Sequence, residues 1–387
     1  MKRLAIVTTH PIQYYAPVFK LLHERGNIAI NVYYTWGEAS LKKYDPGFQK
    51  LIQWDIPLLD GYPYEWVSNT AIDKGSHHFK GIITPVLNQQ IEDWKPDAVL
   101  VFGWAYKGHL SAMRYFKDKL PVFFRGDSTM LNQAPGLTSV IKKVFLRWIY
   151  RKVDYAFYVG INNKMYFKIY GLRDEQLIFT PHAIDNEKFN ACHNKKALAL
   201  RSSLNLLADD ILVLFAGKFE QTKNPGILIE SFKTIKAPNL HLLFVGNGVL
   251  EAELKSKAAF DGRIHFLDFQ NQSVMPVLYQ AADLFCLPSV GESWGLAVNE
   301  AMAAGRAVLV SDKVGCAVDL VKNNINGEIF KSKSVNELTD ALVRLTSDKD
   351  SLVEMGKQSH KIIQAWNFTA IAEAIEKALI QSSTDEP

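Results

Sequence analysis

The run from Cys286 to Asp312, CLPSVGESWGLAVNEAMAAGRAVLVSD, constrains the fold of this chain more than any other stretch. A short apolar strand at 284–287 leads into a loop of small residues. An alanine-rich helix follows, ends at Gly305 and is succeeded by a second strand at 307–310. Glycine suits a helix end because it tolerates a positive φ. A strand, a helix and a second strand in this order form a parallel βαβ unit, so we expect an α/β fold.

The loop inside this unit has the chemistry of a ligand site. Ligands of parallel sheets bind at the carboxyl ends of strands, next to helix N-termini whose free N–H groups suit anions. Glu292 lies in the loop and Glu300 lies in the helix. The residues that open the helix and offer N–H groups to a phosphate are Ser293, Trp294, Gly295 and Leu296. Donors for phosphate beside carboxylates for hydroxyls suit a sugar nucleotide.

The residues from Pro288 to Gly305 fit the string P-S-x-x-E-x-x-G-L-x-x-x-E-A-M-A-x-G. This string, in which Glu292 and Glu300 are separated by seven residues, resembles the E-x7-E signature of family 4 retaining glycosyltransferases. The resemblance implies the GT-B fold, in which two Rossmann-like domains face each other across a cleft and the last helix crosses back to the first domain. It is close over residues 210–330 and general over 1–185.

The length of 387 residues favours two domains of ordinary size. Residues 186–208 are polar and rich in Asn and Lys, which is typical of a linker. We therefore predict an N-terminal, acceptor-side domain at 1–190, completed by a C-terminal helix at 366–387. The predicted donor-binding domain spans 191–365.

Two loops of the second domain match the donor site of the family. Gly217 and Lys218 follow a predicted strand at 211–216, and Lys223 comes five residues later. The resemblance implies that these lysines grip the donor diphosphate, as point charges where an arginine would give a bidentate contact. It also implies that Phe269 and Gln270, after the strand at 264–268, hold the base. We predict that Lys218, Lys223 and Glu292 are catalytic residues. We also predict that Glu292 binds hydroxyls of the donor sugar and that Glu300 binds the ribose diol.

The first domain departs from the family where many members carry a histidine that contacts the donor sugar. Arg125-Gly-Asp127 stands there, after the predicted strand at 121–124. Asp127 then takes part of that role as a catalytic residue, or His109 or His10 reaches in from a neighbouring loop. His10, Arg125 and His109 are the candidates for contact with the acceptor or the sugar. A structural alternative remains open, in which Arg125 and Asp127 only pair to hold the turn.

No cofactor is expected. The loop after the first predicted strand lacks the G-x-G-x-x-G of dinucleotide-binding dehydrogenases. His77 and His78 have no third ligand at a useful spacing, and the D-x-D at 348–350 lies between predicted helices. We predict that the enzyme uses no metal ion and takes a UDP-sugar as its donor, with UDP-glucose as the first choice.

Charge and cysteine content bear on location and partners. Over residues 1–190, Lys and Arg outnumber Asp and Glu by 24 to 17, which suits an anionic acceptor or membrane surface as well as an ordinary protein surface. The three cysteines are scattered, which is typical of a reducing compartment, and no run approaches the ~20 apolar residues of a membrane helix. We expect a cytoplasmic protein without a nucleic-acid partner.

A predicted helix at 139–152 raises the question of membrane association. Its sequence places Ile141, Phe145, Trp148 and Ile149 on one side and Lys142, Lys143, Arg147 and Arg151 on the other. Basic amphipathic helices bind anionic membrane surfaces, and they also form the outer layer of α/β domains. Peripheral association with the inner face of the plasma membrane therefore stays open beside the ordinary interpretation.

The sequence as a whole predicts a metal-independent retaining glycosyltransferase. It would move a hexose from a nucleotide sugar to a glycan, a polysaccharide or a lipid-linked acceptor. Two alternatives share the fold: a nucleotide-sugar epimerase or hydrolase, and a non-catalytic subunit that binds a sugar nucleotide.

Overall fold

The computed structural model describes residues 1–131, 137–259 and 261–382. Its strands are β1 (Arg3–Thr8), β2 (Ala29–Tyr34), β3 (Lys43–Asp45), β4 (Lys50–Ile52), β5 (Tyr64–Trp66), β6 (Ala98–Phe102), β7 (Val122–Arg125), β8 (Tyr155–Tyr158), β9 (Leu177–Phe179), β10 (Ile211–Ala216), β11 (Leu240–Val245), β12 (Ile264–Leu267), β13 (Leu284–Leu287), β14 (Ala307–Ser311) and β15 (Gly327–Phe330).

The α-helices of the same residues are α1 (Ala16–Arg25), α2 (Leu87–Trp94), α3 (Lys107–Phe116), α4 (Leu137–Tyr150), α5 (Ile161–Ile169), α6 (Asn186–Asn190), α7 (Asn194–Ser203), α8 (Gly226–Thr234), α9 (Glu251–Ala258), α10 (Met275–Ala281), α11 (Leu296–Ala303), α12 (Ala317–Leu320), α13 (Val335–Leu345), α14 (Lys349–Ile363) and α15 (Phe368–Gln381).

The chain divides into two compact units. Unit 1 contains residues 1–43, 56–182 and the segment from 368 onward, and unit 2 contains residues 44–55 and 183–367. The sequence places the boundary at residue 190, whereas the structure places it between His182 and Ala183. Residues 383–387 of the predicted C-terminal helix lie outside the described residues.

Unit 1 is built on a parallel sheet of order β5-β2-β1-β6-β7-β8-β9. Its central strands are apolar on both faces because helices cover the sheet on both sides, as the buried residues of β1 and β6 indicate. The last helix, α15, packs on α1, and the Arg25 guanidinium donates to both carboxylate oxygens of Glu376 at 2.9 and 3.0 Å. The end of the chain therefore completes the first unit, as the GT-B resemblance implies.

Unit 2 is built on a second parallel sheet, of order β12-β11-β10-β13-β14-β15. The predicted βαβ unit is confirmed: β13 pairs in parallel with β14, and α11 connects them. Gly305 has φ 70° at the end of that helix, and Gly295 has φ 99° at its start. Because all six strands are parallel, their carboxyl-end loops share one edge of the sheet.

The interpretation of residues 186–208 as a linker is wrong. They contain α6 and α7, and both helices pack against α10. Phe189 is buried, and the Gln280 side chain donates to the carbonyls of Phe189 and Ala191. The polar composition reflects the outer faces of two short helices on the surface of unit 2.

Residues 44–55 lie between two stretches of unit 1 in the sequence, but they pack in unit 2. Strands β3 and β4 form a small two-stranded sheet in this part of the chain. We call residues 44–55 the inserted segment.

Candidate sugar-nucleotide site

The loops after β10 and β13 lie side by side because these strands are neighbours in the sheet. The Val290 N–H donates to the Thr222 carbonyl at 2.9 Å and ties the two loops together. Across this join the Lys223 ammonium forms an ion pair with the Glu292 carboxylate. Two of the residues that the sequence assigned to the donor site thus meet, although 69 positions separate them.

Lys218 lies in the same β10 loop and pairs with a carboxylate that the sequence did not indicate. Its ammonium lies 2.9 Å from Oδ1 and 3.1 Å from Oδ2 of Asp45 in the inserted segment. Partial burial opposes ionisation of Asp45, but the hydrogen bond and charge of Lys218 and the N–H groups of Phe48 and Gly47 outweigh it and lower the pKa of this carboxyl. Asp45 is therefore an anion held at a predicted phosphate-binding lysine.

The Glu292 loop is fixed by backbone contacts with the loop after β14. The Glu292 N–H donates to the Lys313 carbonyl at 3.0 Å, and the Gly315 N–H donates to the Glu292 carbonyl at 3.1 Å. A Cβ at Gly315 would collide with the Ser293 carbonyl, so glycine is required there for close approach. The loop that begins α11 is consequently held by its neighbours on both sides.

The N-terminus of the next helix, α11, lies at this same loop. Gly295 is the N-cap residue, and the buried Trp294 indole donates from Nε1 to Asn299 Oδ1 at 2.9 Å. A helix N-terminus favours anions because its peptide dipoles are aligned. The N-terminus of α11 thus adds partial positive charge to an edge where Lys218 and Lys223 are each paired with a carboxylate.

Glu300 is not a solvated helix residue. It is only 3% exposed, and the Tyr279 hydroxyl donates to its Oε2 at 2.8 Å. The neighbouring Lys188 has a lowered pKa because burial outweighs the attraction of Glu300 and nearby aspartates. Glu300 therefore belongs to a largely buried polar cluster beneath the loop that carries Glu292.

The loops after β11 and β12 bring Phe269 and Gln270 to the same edge. Asn247, after β11, accepts from the Phe269 N–H at 2.8 Å, and the Gln270 amide donates to the Asp268 carbonyl at 3.1 Å. Gly217 and Gly246 have φ of 157° and 143°, and a Cβ at Gly246 would collide with the Gly217 carbonyl. These glycines let the β10 and β11 loops approach each other closely.

His109, a predicted candidate for contact with the sugar, lies near the start of α3. It is fully buried in α3, with Nδ1 donating to the Phe102 and Gly103 carbonyls and Nε2 at 2.8 Å from the Thr35 hydroxyl. Burial lowers the pKa of His109 to about 4, so the ring is neutral. Its role is to join the ends of β2 and β6.

Arg125 is likewise buried, being 2% exposed, and its guanidinium donates to the Thr180 and Pro181 carbonyls at 3.1 and 3.0 Å. Burial lowers the pKa of Arg125, against the opposing effects of Tyr15 and Asp127. Arg125 stays a predicted candidate for ligand contact, and in this structure its donors fasten the loop after β9. Asp127 is partly exposed above it, at the carboxyl end of β7.

Two residues that the sequence did not assign to a site lie beside Arg125 and Asp127. The rings of Tyr15 and His182 are stacked, with centroids 6.0 Å apart and planes 5° from parallel. Burial, followed by the charge of Arg125, lowers the pKa of His182 to about 3. The available signal in the sequence was the position of His182 shortly after a strand, β9.

His10 lies in the loop after β1, where its Nε2 accepts from the Lys43 ammonium at 2.9 Å. Nδ1 then carries the proton and donates to the Thr9 hydroxyl at 2.8 Å. Burial and the charge of Lys43 lower the pKa of His10 to about 3. His10 is a neutral hydrogen-bonding residue that packs edge-on against Trp36.

A third candidate ligand does accompany His77 and His78, which corrects the sequence interpretation. Asp73 Oδ2 lies 3.1 Å from His77 Nε2 and 3.3 Å from His78 Nε2, and these donors suit a divalent transition metal. The D-x-D at 348–350 has a structural explanation, because Asp348 caps α14 by accepting from the Asp350 N–H.

Residues 198–362 match the family model of the glycosyl transferases group 1. This part of the chain is therefore similar to the group 1 glycosyltransferases. The chain is 30% identical over 208 residues to the UDP-Gal:alpha-D-GlcNAc-diphosphoundecaprenol alpha-1,3-galactosyltransferase of Escherichia coli, over 52% of this chain and 53% of the relative. It is 28% identical over 217 residues to the D-inositol 3-phosphate glycosyltransferase of Nocardia farcinica, over 52% of this chain and 47% of the relative. The matches thus span about half the length of these curated glycosyltransferases.

Solved structures of glycosyltransferases share the fold of the whole chain. Sucrose-phosphate synthase from Thermosynechococcus elongatus superposes with a TM-score of 0.75 at 18% identity and covers 100% of both chains. HepE from Anabaena, solved with UDP and glucose, superposes with a TM-score of 0.72 at 17% identity, over 98% of this chain and 100% of that one. The GT-B fold expected from the resemblance is confirmed. None of the helices in the described ranges is both long and apolar enough to cross a membrane.

Proposed function

We propose that this protein transfers a hexose from a UDP-sugar, with UDP-glucose as the first candidate, to a glycan, polysaccharide or lipid-linked acceptor with retention of configuration. The observation that carries the proposal is the convergence of Lys218, Lys223 and Glu292 at adjacent strand ends, beside the start of α11. One HepE structure contains UDP, a second contains UDP and glucose, and a third contains UDP-glucose. These ligands support a uridine nucleotide as the donor of this protein as well.

The reaction requires stabilisation of a departing nucleoside diphosphate. When the bond between the anomeric carbon and the phosphate oxygen breaks, its electron pair stays on the diphosphate. The acceptor hydroxyl attacks the sugar from the same face and passes its proton to the released phosphate oxygen. Lys218, Lys223 and the N-terminus of α11 provide the positive charge that this leaving group needs. Preorganised donors of this kind contribute roughly 3 kcal/mol each to the transition state.

The two glutamates are assigned to recognition rather than to acid–base chemistry. Glu292 lies in the loop next to the lysines, where its carboxylate can accept from hydroxyls of the donor sugar. Glu300 is buried beneath that loop and is proposed to accept from the ribose diol while Tyr279 orients it. In unit 1, Asp127 after β7 is the residue proposed to take part of the role that a histidine has in the family.

The donor assignment is tested by a thermal-shift screen of nucleotide sugars, followed by an assay of UDP release with candidate acceptors. We expect a UDP-sugar to raise the melting temperature, and turnover to persist in EDTA because lysines and peptide N–H groups supply the positive charge. A melting temperature that no nucleotide sugar moves would refute the assignment. UDP release that needs no acceptor would favour the hydrolase instead.

Variants separate the roles within the site. Lys218→Ala and Lys223→Ala should each lower kcat about 100-fold because they remove charge from the leaving group. Glu300→Ala should mainly weaken nucleotide binding. Lys233→Ala, which removes an exposed lysine from α8, is the matched control and should behave as the wild type. Equal activity of all these variants would argue against the proposed site.

We also propose that α4 binds an anionic membrane surface, which would bring the enzyme to a lipid-linked acceptor. Of the apolar residues that the sequence places on one side of the helix, Ile149 is buried, whereas Ile141, Phe145 and Trp148 are 72, 44 and 38% exposed. Val144 of the same helix is 67% exposed. The exposed basic residues on the same helix are Lys142, Lys143 and Arg147. Exposed apolar side chains interleaved with cations match the chemistry of anionic lipid headgroups over acyl chains.

Vesicle sedimentation tests this surface. The full chain should bind vesicles of phosphatidylglycerol and not vesicles of phosphatidylcholine, and Ile141→Asp together with Val144→Asp should abolish the binding. Val343→Asp, at a residue of α13 that is 50% exposed, controls for a charge placed on an exposed valine. Failure of the wild type to bind either kind of vesicle would contradict the membrane assignment and leave the donor assignment standing.

A further inference from the structure

The inserted segment lies over the strand ends that carry the candidate donor residues. Its Asp45 reaches Lys218 in the β10 loop, and Lys50 pairs with Asp268 after β12 at 3.2 Å. The Asn271 amide donates to the Gln53 carbonyl at 2.7 Å, next to the same β12 loop. The segment is thus fastened to the two loops proposed to hold the diphosphate and the base.

A close backbone approach supports the same placement at the β11 loop. A Cβ at Gly248 would come within 2.9 Å of the Gly47 carbonyl, and within 2.6 Å of the Phe219 carbonyl. Gly248 has φ 154°, so both its conformation and its surroundings favour glycine. The inserted segment therefore touches three consecutive loops of one sheet edge, those after β10, β11 and β12.

The Asp45 carboxylate forms an ion pair with the Lys218 ammonium through Oδ1. The same Oδ1 accepts from the N–H groups of Gly47 and Phe48 at 2.8 and 3.2 Å, which fixes the carboxylate within the turn. A phosphate that binds Lys218 must share or displace this ion pair, because two anions next to one lysine repel each other. Asp45 is thereby an anion supplied by the chain at the place proposed for the diphosphate.

The segment also adds aromatic surface next to the proposed base residue. The ring centroid of Phe48 lies 4.9 Å from that of Phe269, and the ring of Trp54 lies 6.3 Å from Phe269. Lys218 Nζ lies 5.2 Å from the Phe48 centroid. Aromatic side chains bind nucleobases by stacking, and here they stand directly beside the lysine that would bind the phosphates.

We propose that the inserted segment is part of the nucleotide site: Asp45 competes with the diphosphate for Lys218, and Phe48 forms with Phe269 an aromatic surface for the nucleobase. The inference rests on the proposed function, in that Lys218 is taken to bind the donor diphosphate. It adds a specificity surface and an internal competitor, contributed by residues that precede the part matched by the group 1 family model by about 150 positions in the sequence.

Calorimetric titration of the full chain with UDP and with inorganic pyrophosphate separates the two roles. Asp45→Asn keeps the acceptor oxygen for the turn and removes the charge, so it should bind both ligands about three- to tenfold more tightly than the wild type. Phe48→Ala should bind UDP about tenfold more weakly, since one stacking contact is lost, and should bind pyrophosphate unchanged.

Controls distinguish these effects from altered folding. Asp60→Asn removes an exposed carboxylate outside the inserted segment, and Leu51→Ala removes an exposed apolar side chain within it. Both variants should bind UDP and pyrophosphate with wild-type affinity. Phe48→Tyr retains the ring and should restore UDP affinity. Melting temperatures of all variants establish that each is folded.

The outcomes separate this inference from the proposed function. Unchanged or weaker UDP binding by Asp45→Asn would overturn the competition, and equal loss of UDP and pyrophosphate by Phe48→Ala would overturn the stacking surface. Either result, with a wild type that binds UDP, leaves the proposed function intact. A wild type that binds neither UDP nor pyrophosphate would overturn both.

Discussion

At the residue scale, the buried histidines of unit 1 have a consequence for stability. Burial lowers the pKa of His109 to about 4, well below the value of 6.5 for an exposed imidazole. His10 and His182 are shifted in the same direction, to about 3, by burial and by neighbouring positive charges. Below pH 6.5 the unfolded chain takes up protons that the folded chain does not, so the unfolded state is stabilised.

We therefore expect the free energy of unfolding to fall as the pH is lowered from about 6.5 towards 4, by up to about 1.4 kcal/mol per pH unit for each such histidine. Urea unfolding at a series of pH values measures it. His109→Gln should lower stability at pH 7.5 and also flatten the pH dependence, while exposed His23→Gln should do neither. A pH dependence that His109→Gln leaves unaltered would contradict the assignment.

Arg125 supplies a second residue-scale prediction. Its guanidinium donates hydrogen bonds to two carbonyls of the loop after β9, and a lysine ammonium cannot reproduce this geometry. Arg125→Lys should cost about 2 kcal/mol of unfolding free energy because a buried acceptor loses its donor. Arg173→Lys, at an exposed position, is the matched control in denaturant titrations. Equal stability of the two variants would show that the two hydrogen bonds of Arg125 contribute nothing to the free energy of unfolding.

At the scale of elements, the start of α11 depends on the loop after β14. A Cβ at Gly315 would collide with the Ser293 carbonyl, so Gly315→Ala must displace the Glu292 loop or strain it. Overpacking of this kind costs about 1–3 kcal/mol, and we expect the UDP affinity to fall along with the melting temperature. Calorimetry and thermal unfolding measure the two effects.

The matched control for this variant is Gly262→Ala, because a Cβ there meets no atom of the described residues within 4 Å. It should leave both UDP binding and the melting temperature unchanged. A Gly315→Ala protein with wild-type affinity for UDP would show that the exact position of the Glu292 loop is unimportant for the nucleotide.

At the scale of the whole molecule, unit 1 is completed by residues from the far end of the chain. The apolar face of α15 is buried, and Glu376 is held by the Arg25 guanidinium and the Asn27 amide. Glu376→Gln should cost about 2–3 kcal/mol, because a mostly buried arginine–carboxylate pair loses its charge. Glu373→Gln, where the carboxylate is exposed and 3.7 Å from Arg25, should cost little.

Thermal unfolding in the presence and absence of UDP tests where this effect acts. Glu376→Gln should lower the stability of unit 1 and leave the UDP affinity of unit 2 intact, because the substituted residue and its partners all belong to unit 1. A loss of UDP affinity equal to the loss of stability would contradict the division into two units.

Much of the proposed donor site was predictable because it depends on patterns of neighbouring residues in the sequence. Apolar strands end in Lys218 and in the Glu292 loop, and glycines mark the turns. Parallel neighbouring strands end at the same edge of a sheet, so the meeting of Lys223 with Glu292 followed once the strands were recognised. His109 and Arg125 also follow strand ends, yet both are buried. Position after a strand does not reveal which way a side chain points.

The sequence by itself determined the βαβ unit around Glu292 and the apolar strand before Lys218, because apolar periodicity and glycine conformation act over a few neighbouring residues. It did not reveal α6 and α7, whose polar composition resembles that of a linker. Only the tertiary structure decided that Asp45 pairs with Lys218 and that Asp73 joins His77 and His78. The Asp45 and Lys218 side chains are 173 positions apart. Their pairing depends on the inserted segment packing in unit 2, and no local pattern of residues specifies which unit a segment joins.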